Sequence, residues 1–67
     1  MARKWRPQHG MEYYAIELND DGYVFRELYN QFFPPAKSRV KMGNCFRTGI
    51  RALSALKKIK AVLKGGK

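Results

Sequence analysis

Few residues in this chain have the types needed for acid–base or nucleophilic chemistry, and their spacing argues against it. Glu12 and Glu17 lie five positions apart and so point to opposite faces of any strand, where they cannot work as an acid/base pair. Asp20 and Asp21 stand in Asn19-Asp20-Asp21-Gly22, where aspartates bond to their own backbone and build turns. His9 sits in a Pro-Gln-His-Gly loop, Cys45 has no histidine in reach by sequence, and Ser38 and Ser54 lack any triad context. A single His and a single Cys cannot supply the roughly four ligands of a structural zinc site. No glycine-rich phosphate cradle occurs. The sequence therefore reads as a non-enzyme, without cofactor or metal.

What the chain has in excess is positive charge. Fourteen Lys and Arg stand against five Asp and Glu, a formal net charge of +9. The imbalance is segregated. Residues 1–11 carry Arg3, Lys4 and Arg6; residues 12–36 hold every acid against Arg26 alone; residues 37–67 contain ten bases and no acid. Such a block calls for an anionic partner, and lysines and arginines neutralise the phosphates of nucleic acid. The candidate contacts are Arg3, Lys4 and Arg6 on a basic arm, Arg39, Lys41 and Arg47 in the middle of the basic block, and Lys57, Lys58, Lys60 and Lys64 near its end.

These side chains need elements to position them. Residues 11–18 and 23–29 are rich in aromatic and aliphatic residues and flank the turn at Asn19–Gly22, which predicts a β-hairpin. Phe33-Pro34-Pro35 breaks that pattern. In 39–46, Val40, Met42 and Phe46 alternate with Arg39, Lys41, Cys45 and Arg47, which predicts a third strand with a bend at Gly43-Asn44. Thr48 is a candidate N-cap. From Gly49 to Lys64, Ala52, Leu56, Ile59 and Leu63 recur at helical spacing, with Lys57, Lys60 and Lys64 on one flank and Arg51 and Lys58 on the other. The expected fold is α+β: a three-stranded antiparallel sheet packed on one C-terminal amphipathic helix, in the order β-β-β-α. Residues 1–10 form the arm and 11–67 the single domain.

That layout leaves one sheet face open. With Tyr14, Ile16 and Leu18 turned to the helix, and Val24 and Leu28 as core partners, Tyr13, Arg39, Lys41 and Arg47 come to the open face. There they suit phosphates and a DNA groove. Trp5 is expected to close the core. At 67 residues the chain forms one small core, and its 45% hydrophobic content excludes a disordered basic tail. With one cysteine there is no intrachain disulfide; with no apolar stretch near the N-terminus and no long apolar run, a cytoplasmic protein with no membrane association is expected.

Trp5-Arg6-Pro7, Tyr13-Tyr14 and the box Gly43-Asn44-Cys45-Phe46-Arg47-Thr48 opening a C-terminal helix resemble a family of small phage and prophage proteins. The resemblance spans nearly the whole chain and implies a phage or mobile-element origin; the family has no settled activity and transfers no functional residues. Acids usually follow the threonine there; here Gly49, Ile50 and Arg51 stand instead. The β-β-β-α layout is also similar to the arm-binding domains of tyrosine-family integrases and to plant ethylene-response-factor domains, which implies a sheet laid in the major groove. The leading expectation is a small DNA-binding protein in the bacterial host cell, with DNA favoured over RNA. The rival is a phage-encoded inhibitor that binds a host protein through Tyr13, Tyr23, Phe25, Tyr29, Phe32 and Phe33. Edge-strand pairing into a homodimer is compatible with both.

Overall fold

A computed structural model describes residues 5–19 and 21–65, in the order β1 (Glu12–Glu17), β2 (Tyr23–Leu28), α1 (Pro34–Met42) and α2 (Gly49–Gly65). The hairpin is as expected. β1 and β2 pair antiparallel from Glu12↔Leu28 to Glu17↔Tyr23. Its turn closes with a bond from the Gly22 N–H to the Asn19 carbonyl at 2.8 Å, with Gly22 at φ 81°, where a side chain would be strained.

The third strand is not there. Residues 39–42 belong to α1, and the sheet has two strands and two helices around it. Two prolines that break a strand are well placed in the first turn of a helix, where their missing N–H groups have no intrahelical acceptor anyway. Phe33 enters in an extended conformation and Gly43, at φ 78°, stops the helix. The N–H of Gly43 donates to the Val40 carbonyl and that of Asn44 to the Arg39 carbonyl, the two hydrogen bonds of a Schellman cap. The alternation of Val40 and Met42 with Arg39 and Lys41 thus falls on helical backbone. Val40 turns inward beside the buried Ala36, and Met42 is 77% exposed. The likeness to integrase and ethylene-response-factor domains rested on the β-β-β-α layout and goes with the third strand.

What remains of the third strand is one bridge. Tyr14 and Phe46 exchange both backbone hydrogen bonds, at 2.9 and 2.8 Å. Two residues along, the Asn44 side chain acts as a second rung. Its amide donates to the Ile16 carbonyl at 2.9 Å and its oxygen accepts from the Ile16 N–H at 2.8 Å. A side-chain amide has the donor and acceptor of a peptide group, so it satisfies the β1 edge as a strand would.

Both sheet faces are covered. α2 lies on the face of Tyr14, Ile16 and Val24: Gly49 sits against the Tyr14 ring, and Leu56 reaches Gly22. Ala52 and Leu56 are buried there, and Thr48 caps the helix by accepting the Arg51 N–H at 3.2 Å. The opposite face, expected to be open, carries the main core. Tyr13, Ala15 and Cys45 are buried, with Trp5, Phe25, Tyr29 and Val40 packed around them. Tyr13, expected outside, is 0% exposed, and Leu28, expected in the core, is 61% exposed. Trp5 does pack against this cluster.

The Asn44 rung yields a direct test. Asn44→Ala removes two bonds and leaves the Ile16 N–H and carbonyl without partners, so it should lower the unfolding free energy by about 2 kcal/mol. Asn44→Asp keeps the acceptor but loses the donor, and should also destabilise the fold. Urea denaturation at neutral pH measures both; a change below roughly 0.5 kcal/mol for the alanine variant would mean that the rung carries no weight.

Candidate nucleic-acid interface

The ten bases named from the sequence divide sharply. Arg3 and Lys4 lie outside the described residues. Arg6 is exposed. Arg39, expected on an open face, is instead turned inward from α1. Its guanidinium bonds to the Glu27 carboxylate and donates to the Tyr13 hydroxyl at 2.7 Å, and lies 4.8 Å from the centre of the Phe25 ring. The Tyr13 hydroxyl in turn donates to Glu27 at 2.7 Å. An arginine so committed is not free for a phosphate, and it is removed from the candidate contacts.

Each member of this network needs the others. Tyr13 brings a hydroxyl into the core, and burial of a hydroxyl without a partner costs on the order of 1–3 kcal/mol. Glu27 accepts its hydrogen bond and Arg39 donates to its lone pair, and no buried side-chain polar atom among the described residues lacks a partner. Burial alone would lower the Arg39 guanidinium; its bonds to Tyr13 and the charge of Glu27 outweigh that and hold it raised, hence cationic. Burial pushes the Tyr13 hydroxyl above the ordinary tyrosine value, the bond to Glu27 pushes it further, and Arg39 pulls against both.

The other bases stay free. Lys41 is exposed on α1, Arg47 in the loop before α2, and Lys57, Lys58, Lys60 and Lys64 on α2. The described residues form two ion pairs, Arg39–Glu27 and the solvent-exposed Arg26–Glu12 at 3.8 Å. Two further exposed bases belong with the free set, Lys37 on α1 and Arg51 on α2. Arg51 follows from the sequence periodicity, because it shares the Lys58 flank; Lys37 shares with it the acid-free block.

Among the described residues no three of His, Cys, Asp and Glu come together as a metal site. The His9 ring packs edge-on against Phe32 at 5.8 Å, and its Nδ1 accepts the Gln31 N–H at 3.2 Å. No described helix is long and apolar enough to cross a membrane. No family model matches the chain, and neither a curated protein nor a solved structure matches it.

The Tyr13 network has a pH signature. The folded protein holds the phenolic proton more tightly than the unfolded chain, so this stabilisation is complete below the unfolded value of about 10 and is lost as pH rises through the higher folded value. Stability should therefore fall on the alkaline side. Absorbance at 295 nm should show one of the four tyrosines ionising late. Tyr13→Phe should remove that late step; its persistence in the variant would assign it elsewhere.

Proposed function

We propose that this chain is a small basic nucleic-acid-binding protein of a phage or mobile element, taking DNA in preference to RNA and holding it mainly by its phosphates. The supporting observation is the fate of the acid-free block. Between Lys37 and Lys64 only Arg39 has an acidic partner; Lys37, Lys41, Arg47, Arg51, Lys57, Lys58, Lys60 and Lys64 are exposed and unpaired among the described residues. Eight like charges on so small a body repel one another, and a polyanion relieves that repulsion while releasing its own condensed counterions. The contacts move from the sheet, whose faces are covered, to the helices and to Arg47, with the arm residues Arg3, Lys4 and Arg6 as further candidates.

A second reading has one observation in its favour. Phe32 is 76% exposed, with Phe33 and Tyr23 also exposed, whereas Tyr13 is in the core and Phe25 and Tyr29 are half-buried. A protein-binding inhibitor of a host factor would use Phe32 and Phe33 as its anchors, rather than the whole hairpin.

Fluorescence anisotropy of a labelled random 20-base-pair duplex separates the two. If about six phosphates are neutralised, affinity should fall about a thousandfold between 50 and 200 mM salt. Phe32→Ala combined with Phe33→Ala should leave that affinity unchanged. Absence of binding at 50 mM salt would remove the nucleic-acid reading and leave the aromatic pair as the surface to pursue.

A further inference from the structure

The outer surface of α2 has an order that a merely cationic helix would not need. At about 100° per residue, the buried Ala52 and Leu56 and the half-buried Ile59 define the stripe on the hairpin. Diametrically opposite runs a crest of Ile50, Ser54, Lys57 and Ala61, all exposed, with Ile50 80% so. Arg51 and Lys58 lie about 20° apart on one side of this crest, and Lys60 and Lys64 about 40° apart on the other. The two pairs are separated by about 150°. Two banks of cations thus flank a crest that is short-chained at Ser54 and Ala61.

Resting on the nucleic-acid reading, we propose that α2 lies lengthwise in the major groove of duplex DNA, with Arg51 and Lys58 on the phosphates of one strand, Lys60 and Lys64 on those of the other, and the crest on the groove floor. A helix with its side chains is about 10–12 Å across and the major groove about 12 Å wide. Ser54 and Ala61 let the backbone approach the base edges; Ile50 suits a thymine methyl, and Lys57 a guanine O6 and N7. The block from Lys37 to Lys67 contains no acidic side chain to oppose either strand. Other anions fit less well. Single strands are bound by stacking on exposed aromatics, and α2 has none. A bilayer surface takes a helix by a continuous apolar stripe, and here the best-formed part of it, Ala52 and Leu56, is buried on the sheet. The major groove of A-form RNA is too deep and narrow to admit a helix.

The test compares three 20-base-pair duplexes against the full chain: unmodified DNA, DNA whose cytosines carry glucosyl groups that fill the major groove, and RNA of the same sequence. The unmodified duplex should bind at least about tenfold more tightly than either of the others. Arg51→Gln with Lys58→Gln, and Lys60→Gln with Lys64→Gln, should each weaken binding about tenfold and reduce the salt slope by about 2. Lys37→Gln with Lys41→Gln on α1, which removes the same charge, should have a clearly smaller effect. All six positions are exposed, and circular dichroism verifies that each variant keeps its helices. Equal affinity for the glucosylated and plain duplexes overturns the groove placement, as do equal losses from all three double variants. In either case the nucleic-acid reading survives. Failure of the plain duplex to bind at 50 mM salt ends both.

Discussion

The fold turns on the junction of Arg39 with Tyr13 and Glu27. A two-stranded hairpin is marginal alone in water and needs packing on at least one face. Here one face is held by α2 and the other by a core centred on Tyr13, a residue that brings a polar hydroxyl into the interior. Glu27 from the hairpin and Arg39 from α1 make that burial tolerable, and in doing so they tie the first helix to the sheet. The same contact joins the acidic and basic halves of the sequence. One base of the block is neutralised inside the fold, and those around it are left facing solvent.

The second constraint is the outer edge of β1, and the box at 43–48 satisfies it. Gly43 ends α1 in the left-handed conformation, Asn44 pairs with the Ile16 backbone, Phe46 bridges Tyr14, and Thr48 caps α2. Cys45, between them, turns into the core. Each of these residues has a structural duty within a six-residue connection between two helices. Apart from the exposed Arg47, the box is thus accounted for by the fold itself.

How much of this is legible in the sequence depends on segment length. The hairpin is legible because its two apolar runs are separated by a turn whose glycine is required. α2 is legible because its seventeen residues suffice to show a helical period and Thr48 marks its start. α1 is not, because the four residues from Arg39 to Met42 alternate apolar and basic, and so short a stretch fits a period of 2 as well as one of 3.6. The discriminating signals lie outside it: prolines at the first two helical positions, Ala36 and Val40 four apart, and a glycine directly after. From that one misreading follow the supposed open face, the outward Tyr13 and the assignment of Arg39 to a phosphate. Charge composition alone does not separate an arginine that serves the core from one that serves a ligand.

The division of labour among the bases also bears on how the fold responds to an anion. Lys57, Lys60 and Lys64 repeat at three and four residues along α2, the spacings at which like charges face one another and destabilise a helix. The last of them lies beyond the part of the helix that buries Ala52 and Leu56, where even Leu63, on the inward stripe, is largely exposed. Packing therefore holds the first half of α2 to the sheet, while the second half depends more on its own helical stability and is the part most weakened by charge repulsion. Phosphates along that surface would remove the repulsion where the core gives least support. Any ligand that binds the folded form and not the unfolded one stabilises the fold by mass action. The exposed charge and the small core are in this way one physical arrangement: the surface that costs the free chain stability is the surface at which a bound polyanion would restore it.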